Sequence, residues 1–185
     1  MKMEFYDQAL GSYEAAALMG MHFGQPQKLV NKGRLTARTV TESAYSDKPT
    51  RCVTIYDGAE CEANYREHEQ EIASRARKTG QPRKGLHLRP EAIRTLKAVK
   101  TPIMFDDAIT LVEASKILTV HISLVPRLIA QGKIVGRVPW NPRGQRSPAR
   151  NWIVSRRSCL ADAKATKAKE AAGKKPGMRR TKKSR

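Results

Sequence analysis

Aromatic residues make up only 5% of this 185-residue sequence, so a core has to be built from Ala, Val, Ile, Leu and Met. Cysteine is scarce as well. Cys52, Cys61 and Cys159 are odd in number and form no Cys-x-x-Cys pair. That argues against a disulfide framework or zinc knuckle and fits a reducing, cytosolic setting. No apolar run approaches the length of a membrane span. The N-terminus is acidic and aromatic, not basic then apolar, so no secretory signal is expected. A Ser-His-Asp set, a phosphate-binding glycine loop and a paired-carboxylate motif are all missing. His68 and His87 stand in polar surroundings. The expectation is a non-enzymatic protein with no catalytic residues, metal or cofactor.

Acidic residues are outnumbered, with 17 Asp and Glu against 36 Lys and Arg, a formal net charge of +19. Such a balance points to a polyanionic partner. Anionic membrane is the competitor, but no long helix pairs basic residues with Trp and Phe, so no membrane partner is expected. The charge is uneven: residues 1–63 carry 7 basic and 8 acidic groups, whereas residues 164–185 carry 10 basic groups and Glu170 alone. That last stretch has no hydrophobe larger than Met178. It buries too little surface to offset its ordering entropy and is expected to be disordered, with its first part, Ala163 to Ala172, fraying in and out of helix.

The informative feature is an internal repeat. Shifted by 99 residues, the sequence aligns with itself without a gap and gives 10 identities over residues 7–61. Unrelated chains of ordinary composition would give roughly three. Among the identities are Asp7 with Asp106, Ala9 with Ala108, Glu14 with Glu113, His22 with His121, Gly33 with Gly132, Arg38 with Arg137, Pro49 with Pro148 and Arg51 with Arg150. Conservative pairs follow suit: Lys28 with Arg127, Arg34 with Lys133, Leu35 with Ile134, Val53 with Trp152 and Ile55 with Val154. Two copies of one fold are the physical reading.

The second copy is the clearer. Asp106 or Asp107 is expected to cap a helix carrying Ala108, Leu111, Val112, Ala114 and Leu118. A turn at Thr119-Val120 precedes a second helix, capped by His121 or Ser123, with Val125, Leu128 and Ile129 inward. Gly132 supplies the left-handed stop. Ile134–Val138 reads as a strand, Trp140–Ala149 as a loop, Asn151–Val154 as a returning strand, and Ser155 or Ser158 as the start of a further helix. Helix, turn, helix, strand, long loop, strand, helix is the order of a winged helix-turn-helix. Pro26 is tolerable early in its helix, whereas Pro126 is expected to cost a backbone bond.

The run Val112-Glu113-Ala114-Ser115, followed by Val120, Leu128-Ile129, Gly132-Lys133-Ile134 and Trp152-Ile153-Val154, resembles the excisionase and mercury-regulator (MerR-like) class. Copy one carries similar marks in Tyr13-Glu14-Ala15-Ala16, Leu29 to Leu35 and Val53-Thr54-Ile55. The resemblance covers about 55 residues of each copy. It implies the same winged fold and a DNA partner and, through the excisionases, a phage, plasmid or other mobile element.

The expected class is therefore mainly α with small β wings (α+β). Residues 1–65 form copy one, 66–100 a basic helical connector, 101–163 copy two and 164–185 a disordered basic tail. A long polar helix from Ala59 to about Lys78 runs from copy one into the connector, which closes with a short helix from Pro90 to Val99 and serves as a spacer or a DNA contact.

With Leu29 and Val30 inward, Gly24, Gln27, Lys28 and Asn31 form the outward stripe of the second helix of copy one. Gln and Asn suit adenine, and Lys suits guanine or phosphate. Copy two offers Ser123 and Arg127 there, beside Pro126 and Ala130. Its wing carries Arg143, Arg146 and Arg150, while the wing of copy one, with Glu42, Asp47, Lys48 and Arg51, is near neutral. Arg38 and Arg137, on the outgoing strands, complete the expected DNA contacts. His22 and His121 lack further ligands nearby and are expected to cap helices or make a backbone contact. Trp152 suits a core strand better than base stacking.

The function expected is sequence-specific binding of double-stranded DNA, as a transcriptional regulator or recombination accessory factor. The setting would be cytoplasmic and nucleoid-associated, in a bacterial or phage-infected cell. Two alternatives remain open: an adaptor in which copy one docks a protein partner or a homodimer mate, and a non-specific RNA- or DNA-binding protein.

Overall fold

A computed structural model of the protein describes residues 7–42, 51–79, 86–142 and 152–172. The chain is a mixed α+β protein with two small antiparallel sheets of three strands each. In the first half, strand β1 (Ala9–Leu10) leads into helices α1 (Ser12–Leu18) and α2 (Gln25–Asn31). Strands β2 (Ala37–Glu42) and β3 (Arg51–Asp57) follow, then the long helix α3 (Gly58–Thr79). Helix α4 (Arg89–Lys97) leads to the second half. There β4 (Ala108–Ile109), α5 (Leu111–Leu118), α6 (Val125–Ala130), β5 (Gly136–Arg137), β6 (Ile153–Ser155) and α7 (Arg156–Ala171) repeat the order. In both sheets the returning strand, β3 or β6, lies in the centre. Among the described residues, no helix is long and apolar enough to cross a membrane.

Local chemistry sets the helix ends. The Thr110 hydroxyl accepts from the Glu113 N–H while the Glu113 carboxylate accepts from the Thr110 N–H, a capping box at the start of α5. In α1 Gly11 takes the place of Thr110, and only the half made by Glu14 remains. Asp106 and Asp107 do not cap α5. They lie in a 3-10 turn before β4, and Asp107 accepts from the Ser155 hydroxyl and the Arg157 N–H at the start of α7. The Thr-x-x-Glu spacing satisfies two orphan N–H groups together, which a lone Asp does not. The expected cap at Ser155 is present, accepting the Ser158 N–H. His121 accepts the Ser123 N–H but caps a 3-10 turn, Ile122–Leu124, that runs into α6. Neither α6 nor α2 has a side-chain cap, so His22 caps no helix. Gly33 and Gly132, at φ 66° and 68°, stop the second helices. Pro126 costs no helical bond, because α6 begins at Val125 and the proline falls in the first turn, where its missing N–H has no partner to lose.

The repeat is not gapless. Ile55 pairs with Arg38 across the first sheet, and Ile153 pairs with Arg137 across the second. Arg38 and Arg137 are 99 residues apart, but Ile55 and Ile153 are 98 apart. Ile55 therefore matches Ile153 rather than Val154, the match of Val53 with Trp152 is lost, and the slip lies between the paired strands. It also makes Cys61 the counterpart of Cys159, and both thiols are fully buried. Pro49, Pro148 and Arg150 lie outside the described residues.

Each half has its own core, with Leu10, Leu18, Met19, Tyr56 and Leu96 in the first and Ile109, Leu111, Leu118, Val125 and Val154 in the second. Leu96 belongs to α4, so the connector is more than a spacer. Arg89, at the start of α4, donates to both Glu62 oxygens at 2.8 and 3.1 Å and to the Leu18 carbonyl, and it lies over the Tyr65 ring. A third cluster, Ala9, Ile55, Ile103, Ala108 and Ile153, joins the halves. Helix α7 continues to Ala171, into the stretch from Lys164 expected to be disordered. Its Ser155 cap and run of alanines favour that extension. The basic residues from Lys174 onward lie outside the described residues.

Candidate nucleic-acid interface

Helices α2 and α6 are the second helices of the two halves, and each presents a cation at the matched position. Lys28 and Arg127 are both exposed. Lys32, Arg34 and Lys133 continue the exposed basic surface past the helix ends, with Arg34 donating to the His68 ring at 2.8 Å.

The rest of the expected stripe divides. Gln27 is half-buried, and its carboxamide oxygen accepts from the Tyr56 and Thr54 hydroxyls at 3.3 and 3.4 Å. Its nitrogen donates to the Asn31 carboxamide at 3.2 Å. Gln27 thus ties α2 to β3 instead of facing outward, because the sheet hydroxyls lie within its reach. Asn31 and Ser123 are exposed, and the Ser123 hydroxyl contacts the His121 ring at 2.8 Å. The side chains of Arg51, Arg143, Arg146 and Arg150 lie outside the described residues.

Arg38 and Arg137 are placed elsewhere than expected. Arg137 makes a two-pronged contact with Glu14, at 2.6 and 3.0 Å, and donates to the Ala9 carbonyl at 2.6 Å. Its side chain is 12% exposed and that of Glu14 is 0% exposed, so neither is offered to a phosphate. Glu14 also accepts from the N–H groups of Gly11 and Trp140. Arg38 donates to Glu113 at 3.0 Å and to the Ala108 carbonyl, in a more open setting. Both arginines clasp the opposite half of the chain. One sequence signal pointed to this: Glu14 and Glu113 are themselves identical across the repeat, so the opposite charge recurs along with the arginine.

Between the halves lies a cleft of about 200 Å³ that the sequence did not reveal. Tyr13, Phe23, Trp140 and Trp152 bring four rings to it, beside Thr54 and Asn141, and among the described residues no charged side chain lines it. Tyr13 and Phe23 stack at 5.2 Å. The Trp152 indole N–H is buried and, among the described residues, has no acceptor.

Burial disarms the thiols. It pushes the Cys159 thiol up to about 11 and that of Cys61 higher still, helped by nearby carboxylates, so both stay protonated near neutrality. Among the described residues no group of three or more His, Cys, Asp and Glu is placed to hold a metal ion. The chain matches no protein-family model, no curated protein and no solved structure.

Proposed function

We propose that this chain is a sequence-specific double-stranded DNA-binding protein, a regulator or recombination accessory factor, in which two winged helix-turn-helix modules act together. The observation that carries the reading is the matched exposure of Lys28 on α2 and Arg127 on α6. Each sits on the second of two short helices, beside an antiparallel strand pair, and α2 or α6 would enter the major groove. The net charge of +19 supplies the attraction for phosphate. With Gln27 engaged by the sheet, base reading falls to Lys28 and Asn31 in one module and to Arg127 and Ser123 in the other.

Selection of bound sequences from a random duplex pool tests this. A defined motif should emerge, and Lys28→Ala or Arg127→Ala should weaken binding to it by roughly 1–3 kcal/mol for each base deprived of its partner. Persistent binding with no enriched motif would move the protein to the non-specific nucleic-acid binders.

A further inference from the structure

The arginine contacts between the halves are reciprocal. Arg38 reaches the Ala108 carbonyl and Glu113, and its counterpart Arg137 reaches the Ala9 carbonyl and Glu14, the counterparts of those groups. Ala9 and its counterpart Ala108 share the joining cluster, and Ile55 lies there with its counterpart Ile153. Each of these contacts of i with j is matched by one of j with i. That pattern marks association about a two-fold axis, whereas a head-to-tail arrangement would bring unlike patches together.

We infer that the chain is a dimer built into one polypeptide, and that its DNA target is an imperfect inverted repeat read by a single molecule. The inference rests on α2 and α6 being the base readers. Two readers related by a two-fold axis meet a duplex with opposite polarity, so their half-sites run in opposite directions. The half-sites differ in sequence because the readers differ: Arg127 stands where α2 has Lys28, Ala130 where it has Asn31, and Ser123 where the first half has Gly24. The four clasp residues, Arg38 with Glu113 and Arg137 with Glu14, are positioning residues. They hold the readers at one separation and so fix the spacing between half-sites.

The test uses the full chain and synthetic duplexes. The two half-sites found by selection are rebuilt in inverted order (convergent and divergent) and in direct order, with spacers varied one base pair at a time. One inverted arrangement at one spacing should bind with one chain per duplex. It should bind at least about 10-fold more tightly than any direct arrangement, because a misdirected half-site forfeits the base contacts of one reader. A direct repeat bound equally well, or two chains on each inverted site, would overturn the inference while leaving DNA binding intact. If selection enriches no sequence, the DNA reading falls and this inference falls with it. A second measurement addresses the clasp. The variant Arg38→Ala breaks the more exposed pair and leaves the Glu113 cap of α5 in place, so the fold should survive, as circular dichroism will show. It should bind isolated half-sites as before and lose several-fold of its preference for the best spacing. An unchanged spacing preference would remove the positioning role.

Discussion

Replacing Arg137 with Ala should destabilise the protein far more than replacing its repeat counterpart Arg38. The Arg137 guanidinium supplies three hydrogen bonds, two to Glu14 and one to the Ala9 carbonyl. Without it the fully buried Glu14 carboxylate keeps only two neutral backbone donors, Gly11 and Trp140. Removing one partner of a buried ion pair costs about 3–5 kcal/mol, chiefly through the charge left behind. Arg38 and Glu113 are 38% and 31% exposed at the side chain, so water takes over much of their solvation when the pair is broken. An exposed pair is worth about 0.2–1 kcal/mol, and loss of the bond to the Ala108 carbonyl adds about 1 kcal/mol. The expected gap between the two variants is therefore about 1–4 kcal/mol. Urea unfolding followed by far-UV circular dichroism measures it. The only two tryptophans, Trp140 and Trp152, both line the cleft between the halves, so their fluorescence reports on the seam separately. In Arg137→Ala the fluorescence transition should precede the loss of helix. The double variant Glu14→Gln, Arg137→Met should recover part of the stability, because it removes the stranded charge. Equal costs for Arg137→Ala and Arg38→Ala would refute the asymmetry argued from burial.

Three further outcomes are expected. Thr119 holds φ 53° where the first half has Gly20, so Thr119→Gly should raise stability by up to about 1 kcal/mol, read as a higher Tm. The Cys159 thiol ionises near 9.0 when unfolded but only near 11 when folded, so the native state holds its proton more tightly and stability declines as pH climbs from about 9 to 11. Urea melts on Cys159→Ala should show a shallower slope over that range. Truncation after Ala172 removes seven Lys and Arg and should flatten log affinity against log salt by roughly one unit for each phosphate left without its cation, with equal effect on specific and random duplex.

Much of the fold was legible because helix stops and caps are local chemistry. Gly33 and Gly132 end their helices where the sequence placed them, and the His121 and Ser155 caps need only side chains two or three residues from their donors. The start of α5 was equally local, since Thr110 and Glu113 stand at the capping-box spacing, but the neighbouring Asp106 and Asp107 offered a competing signal. The slip from 99 to 98 was less accessible. Trp152, Ile153 and Val154 are apolar at three consecutive positions, so an ungapped alignment still sets hydrophobic residues opposite Val53 and Ile55 and conceals a one-residue deletion. Only the pairing of Ile55 with Arg38 and of Ile153 with Arg137 fixes the register. The equivalence of the buried Cys61 and Cys159 follows from it.

The site was harder to read because a basic residue kept in both copies of a repeat admits two explanations. It can contact the same external ligand twice, or it can contact the other copy. A residue of the first kind needs no partner within the chain and is free to vary in type, as Lys28 and Arg127 do. A residue of the second kind must recur with its acceptor, and Arg38 and Arg137 recur with Glu14 and Glu113. Because Glu14 and Glu113 also hold the N-termini of α1 and α5, one carboxylate in each half both starts a helix and joins the repeats. Changing it would loosen the first helix and the seam together. Lys28 and Arg127 have no such second duty among the described residues, which on the proposed DNA-binding function leaves them free to be tuned to different bases.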